Sequence, residues 1–447
     1  MRIHFTGVKG SGMSSLAQIY KQKGHSITGS DVEESFFTDK LLYKAGIEVL
    51  PFHEKNVQQV DIVCASAAYG SNHVEIKAAN ERNIPVLTYP MMLGELTKEY
   101  ESILITGTHG KTTTTGLIGS LLMNADMDPT IVVGSYIETL NNNARYGRGN
   151  YLVVEACEYK RHFLNYTGKV MVVTNIDFDH PDYFKDIRDT FDAFQECANR
   201  LPEDGLLVVC GDNLARNLRA NCQMVTYGLS QENDVYAVKK GMGKFAVYAF
   251  GKYMGDMVTP LIGEHNIQNA LAMVCLGLYY DIQFDILQET LSGYAGVKRR
   301  LELKGHLKHH LVYDDYAHHP TEIRVTLHAV KENYPNANVV SIFQPHTYSR
   351  TKRLLHEFAQ SFQAADWVVL TDIFASEREK EKLVDILELV EETKKHHPRV
   401  TYIPKSEIIP WLEQMSEQME DHIFLTMGAG DIYKEGEKIL QKMLLSS

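Results

Sequence analysis

Short β-branched runs recur along the chain, each followed by a turn and then a helical stretch. This rhythm predicts parallel α/β sheets rather than a bundle or a sandwich. The first block covers residues 1–98, with strands expected at 2–6, 26–29, 61–66 and 85–88. The second covers 99–295, with strands at 102–106, 130–134, 151–155, 170–175 and 206–210. The third covers 296–447, with strands at 310–314, 339–343, 366–371 and 422–427. Polar TKEYES precedes the second block, and glycine-bearing GYAGVKRR opens the third.

The chain of 447 residues suits about three domains of ordinary size. Its 44% hydrophobic and 23% charged content supplies several cores and excludes wholesale disorder. A net charge of −12 repels phosphate backbones and anionic lipid, so nucleic acid and membrane surfaces are not expected partners. A local basic pocket for a small anion stays compatible with it. None of the six cysteines forms a CxxC pair, and MRIHFTGVKG runs straight into a strand and a glycine turn. Both features lead us to expect reduced thiols and a cytoplasmic location.

The strongest chemical signal is ILITGTHGKTTTT. An apolar strand enters Gly107, Thr108, His109, Gly110, Lys111, Thr112 and Thr113, and a helical stretch follows. Small residues let backbone N–H groups curl around phosphate, Lys111 brings a positive charge, and Thr112 offers a hydroxyl to magnesium. The loop is two residues shorter than the usual phosphate-binding spacing. Metal ligands are expected at neighbouring strand ends, where Glu155 and His180 stand. Asp177 and Asp179 serve equally well as turn caps or as ligands.

GVKGSGM places Gly7, Gly10 and Gly12 after the first strand, with Asp31 at the end of the second. The turn suits a diphosphate-bearing ligand without establishing a dinucleotide. GEHNIQNALA spaces Asn266 and Asn269 on one helix face, as purine readers or as packed polar residues. In the third block DDYAHHPTE, FQPHTYSRT and TMGAGDI end successive strands. His and Arg together there suit an anionic group such as a carboxylate.

In this order GTHGKTTTT, EACE, TNIDFDH, GEHNIQNALA, GVKRR, DDYAHHPTE, FQPHTYSRT and TMGAGDI resemble the Mur ligase family, across nearly the whole chain. The resemblance implies a Rossmann-like N-terminal domain for a UDP-substrate, a central P-loop ATPase-type domain with a mostly parallel sheet, and a Rossmann-like C-terminal domain. It implies ATP- and magnesium-dependent amide formation in peptidoglycan precursor synthesis, through an acyl phosphate. The expected substrates are UDP-N-acetylmuramic acid, L-alanine and ATP, handled by a monomer or a homodimer. It further implies that Lys111, Glu155 and His180 are catalytic, and that Thr112, Glu155 and His180 hold the metal. Asn266, Asn269 and Asp315 would face the nucleotide. Gly7, Gly10, Gly12, Asp31 and a loop with Asn143 and Arg145 would bind the UDP end. Tyr316, His318, His346 and Arg350 would surround the incoming amino acid. Two departures stand out: Thr347 replaces a second basic residue, and Cys157–Glu158–Tyr159–Lys160 replaces an acidic run, which leaves Glu158 without a role. A murein peptide ligase, a nicotinamide-dependent dehydrogenase and a non-catalytic nucleotide switch are the competing expectations.

Overall fold

The computed structural model describes residues 1–375, 379, 381–418 and 421–446, with side chains to 442. Its strands form three separate sheets. The first sheet is parallel, ordered Val49–Leu50, Ser26–Ser30, Arg2–Thr6, Ile62–Ala65, Val86–Thr88. The chain starts in the middle, fills one side and then the other. That reversal opens a crevice at the carboxyl end of Arg2–Thr6, where ligands bind open α/β sheets.

The central sheet has ten strands. Glu101–Thr106 lies between Val170–Val173 and Tyr151–Glu155, parallel to both. These three strands are almost wholly buried. Helices Lys111–Asn124 and Glu264–Tyr279 cover one face. An antiparallel ribbon, Val235–Gly241, Lys244–Ala249 and Lys252–Val258, extends one edge, and the hairpin Thr130–Ile137/Asn142–Arg145 closes the other. The third sheet has six strands, all parallel except the entry hairpin Glu302–Leu307/His310–Asp315.

The first two sheets share one core. Leu16, Ile19, Leu93 and Leu96 belong to the same apolar cluster as Leu104, Val154 and Phe163. The approach is close enough that a β-carbon on Gly94 would lie 2.4 Å from the Asn165 carbonyl. The third sheet has its own cores on its two faces, and among the described residues only Phe178 of the central region packs against one of them. No helix among the described residues is long and apolar enough to cross a membrane.

Candidate active site

The loop after Glu101–Thr106 has a shape only glycine allows at two positions. Gly107 and Gly110 have φ of +133° and +82°. A β-carbon on Gly107 would lie 2.0 Å from Thr174 Oγ1, and one on Gly110 2.8 Å from Asn269 Oδ1. The neighbouring strand end holds the loop. Thr108 N–H donates to the Asn175 carbonyl at 3.1 Å and His109 N–H to Asn175 Oδ1 at 2.9 Å.

The Lys111 ammonium bends back over this loop. It donates to the carbonyls of Gly107 (2.5 Å) and Thr108 (3.0 Å) and to Glu158 Oε2 (2.9 Å). Burial opposes the charge on Lys111, but Glu158 outweighs it and holds the ammonium above its ordinary range. Glu158 is itself 1% exposed, so its carboxylate is withdrawn from water and has the partly buried Lys111 as its cation. Thr112 Oγ1 donates to Glu155 Oε1 at 3.0 Å, and Gly134 N–H fixes Glu155 Oε2 at 2.8 Å. A hydroxyl beside a carboxylate is the hard oxygen donor set magnesium selects. His180, at φ +55°, brings Nε2 to 3.7 Å from Glu158 Oε1 and tilts against the Tyr159 ring. Cys157 is next to this pair. Burial pushes its thiol up to about 12, too high for a reactive thiolate.

Asn266 and Asn269 brace the loop. Asn269 Oδ1 accepts from Thr114 Oγ1 at 3.2 Å, Asn269 Nδ2 donates to Asn266 Oδ1 at 3.2 Å, and Asn266 Nδ2 donates to the Ile262 carbonyl at 2.7 Å. Thr113 is buried in the first helical turn.

The third sheet meets the central one through polar contacts around residues 177–179. Arg350 Nε and Nη2 donate to Asp179 Oδ1 at 3.2 and 2.9 Å. Thr321 Oγ1 donates to Asp177 Oδ2 at 2.6 Å, and His319 Nε2–H donates to the Phe178 carbonyl at 2.9 Å. His109 Nδ1 lies 3.1 Å from Glu322 Oε1. Burial disfavours an imidazolium at His109, but Glu322 and Asp177 override it and raise its pKa to about 9. Glu322 also accepts the His318 N–H at 3.0 Å and lies 3.5 Å from Arg300. Asp177 and Asp179 therefore reach towards the third sheet. Burial would raise both, but His109 and Thr321 lower Asp177, and Arg350 lowers Asp179.

His318 and His346 lie near Arg350, and Tyr316 lies against His318 under Arg299 and Arg300. Ring centroids lie 5.2 Å apart for Tyr316–His318 and 6.2 Å for His318–His346. Burial lowers His318 to about 3 and His346 to about 4, so both are neutral near pH 7. His346 stacks on Phe374, and its buried Nδ1 has no hydrogen-bond partner among the described residues. Thr347 takes φ +69°, and the Tyr348 and Ser349 N–H groups that follow donate to Glu379. Asp315 ends the strand His310–Asp315 and is buried. Burial raises it to about 7, and it accepts the N–H groups of Leu301 and Ala317, both at 2.7 Å, anchoring the linker between sheets.

In the first sheet, Gly7 has φ +81°, and Gly10 precedes the helix Ser11–Gln22 that contains Gly12. Asp31 accepts the N–H groups of Lys9 (2.7 Å) and Val32 (2.8 Å), shaping the crevice rim. Asn143 and Arg145 differ from expectation: they lie on a strand, not in an open loop. Asn143 is fully buried and donates to the Ser11 carbonyl and Ser14 Oγ, both at 2.9 Å. Arg145 donates to the Pro129 carbonyl at 2.6 Å and pairs with Asp128. Their hydrogen-bonding capacity joins sheets and closes an edge.

The sequence reading gave Glu158 no role and overlooked Arg300 and Glu322. GVKRR contains Arg300, and Glu322 occupies the third helical position after its His319 cap, a spacing that signals a cap rather than an interdomain contact.

Three family models match in sequence order: Mur ligase family, catalytic domain, over residues 2–101; Mur ligase middle domain over 105–277; and Mur ligase, glutamate ligase domain, over 299–430. The chain is 45% identical to a UDP-N-acetylmuramate–L-alanine ligase of Desulfitobacterium hafniense, covering 98% of this chain and 99% of the relative. It is 40% identical to the enzyme of that name from Caldanaerobacter subterraneus, covering 99% and 97%. The crystal structure of a UDP-N-acetylmuramate–alanine ligase from Thermotoga maritima superposes with a TM-score of 0.84 at 26% identity, covering all of both chains. A murein peptide ligase from Psychrobacter arcticus shares the fold, with a TM-score of 0.72 at 22% identity over 99% and 98%.

Proposed function

The chain belongs to the Mur ligase family, and from that premise we propose that it joins L-alanine to the carboxylate of UDP-N-acetylmuramic acid, converting ATP to ADP and phosphate. The observation that carries this is the position of the Lys111 loop. It adjoins the third sheet's Glu322 through His109, while the 177–179 turn beside it meets Arg350. We divide the labour as 1–98 for the UDP end, 99–295 for ATP and 296–447 for the amino acid.

Transfer of the terminal phosphoryl group to a carboxylate brings anions together. Lys111 offsets that charge, held ready by the Gly107 and Thr108 carbonyls. Thr112, Glu155 and His180 are the residues that would hold magnesium, whose chemistry is charge neutralisation on the phosphates. The alanine carboxylate takes Arg350 in place of Asp179, by a forked charge-assisted pair. His346, neutral and with Nδ1 partnerless, accepts a hydrogen bond from the amine. Closure excludes water, so the acyl phosphate meets the amine rather than hydrolysing. All these groups come from one chain, so a monomer or a homodimer serves equally. We place the reaction in the cytoplasm.

The dehydrogenase alternative does not survive family membership. The test is an assay with ATP, UDP-N-acetylmuramic acid and a panel of amino acids, with mass detection of the amide. Alanine should give the largest kcat/KM, and phosphate release should need both the sugar nucleotide and the amino acid. Release without either would favour a nucleotide switch, and a product formed only with a ready-made peptide would favour peptide recycling.

A further inference from the structure

We propose a zinc-type metal site on the outer face of the third sheet's helical layer, formed by His356, Glu392 and His396. His356 belongs to the helix Leu355–Ala359, Glu392 to the helix Ile386–Lys394, and His396 follows one turn beyond Glu392. His356 Nδ1 lies 3.1 Å from Glu392 Oε1, and His396 Nε2 lies 3.9 Å from the same oxygen. One ligand atom from each residue falls within a 4.8 Å span. Donor atoms around a tetrahedral zinc stand about 3.3 Å apart, so small side-chain rotations complete the site.

Two further observations point to a ligand. The His396 Nε2 is shielded from solvent and has no hydrogen-bond partner among the described residues. Gln360 stands 2.8 Å behind His356 Nε2, and a turned amide would accept the Nε2–H proton. That is how a metal-bound imidazole is commonly oriented. Lys395 Nζ engages the second Glu392 oxygen at 2.5 Å, leaving Oε1 to the histidines. Two imidazoles and one carboxylate suit a borderline divalent transition ion, with a fourth position open to water. Such an ion would tie the two helices together. The group His109, Asp177 and His319 also clusters, but it belongs to the nucleotide site, and Thr321 already engages Asp177.

The full chain, stripped with a chelator, is titrated with zinc against a chromophoric competitor. The His356→Ala, His396→Ala and His109→Ala variants are run alongside, with melting curves as the folding control for all three and ligase turnover for the His356 and His396 variants alone. The expected result is one zinc equivalent in the wild type, binding at least about tenfold weaker in His356→Ala and His396→Ala, and little change in His109→Ala. Zinc should raise the wild-type melting temperature and leave that of His396→Ala unchanged. Superposable wild-type and His396→Ala isotherms, saturation only at millimolar zinc, or loss confined to His109→Ala would each overturn the proposal.

Discussion

Arg350 and Asp179 form a buried ion pair between the third sheet and the central one, with Nη2 2.9 Å from Oδ1. Both Arg350 contacts fall on a single carboxylate oxygen. The guanidinium is thus held by an internal anion where an amino-acid carboxylate is expected to bind. Arg350→Lys should raise the alanine KM at least about tenfold with a smaller change in kcat, because an ammonium keeps the charge and loses the fork. An unchanged KM in steady-state kinetics would remove Arg350 from the pocket.

Lys111→Met should reduce phosphate release by at least about a thousandfold. It also strands the buried Glu158 carboxylate, at a stability cost of about 3 kcal/mol. Adding Glu158→Gln should recover the melting temperature without recovering turnover. Equal melting temperatures for the single and double variants would show that the pair contributes no stability.

The His109–Glu322 contact makes docking sensitive to pH. The folded His109 pKa of about 9 lies above its ordinary 6.5. Its contribution, up to about 3 kcal/mol, is fully present below about 6.5 and lost as pH rises through about 9. Glu322 is held below its ordinary 4.5, burial being outweighed by His318 and His109, so its contribution is lost only on acidification below that value. Chemical-denaturation midpoints should therefore fall between pH 7 and 9.5. In His109→Gln that fall should flatten; an identical slope would assign the effect elsewhere.

Gly94→Ala tests the contact between the first two sheets. Its new methyl group would sit 2.4 Å from the Asn165 carbonyl, so the helix Tyr89–Thr97 must retreat. A loss of about 1–3 kcal/mol is expected, seen as a lower urea midpoint. A midpoint within error of the wild type would show that the approach is slack.

The strands at 2–6, 151–155, 206–210 and 422–427 were legible because each is a compact β-branched run between turns, and the structure places them at those bounds. The ribbon Val235–Val258 was not. Much of its outward face is exposed, lysines interrupt its strands, and its turns carry the apolar Met242 and Phe250 beside Gly243 and Gly251, so its apolar alternation is weak. The phosphate loop was readable because its chemistry is local. Asp179–Arg350 and His109–Glu322 join residues 171 and 213 positions apart, and no short window of sequence contains both partners. Glu158 was obscured for a different reason: as one letter it reads as a turn acid, and only burial against Lys111 reveals its work.

The apolar cluster shared by the first two sheets has a bearing on modularity. A chain ended before Arg299 would keep that cluster whole and should fold as a stable nucleotide-holding unit without the final domain. The final domain, with its own interior and a seam made largely of charges and amides, is then the part free to be exchanged. Grafting a relative's C-terminal portion onto this base should redirect which amine is accepted while leaving the activated acid untouched.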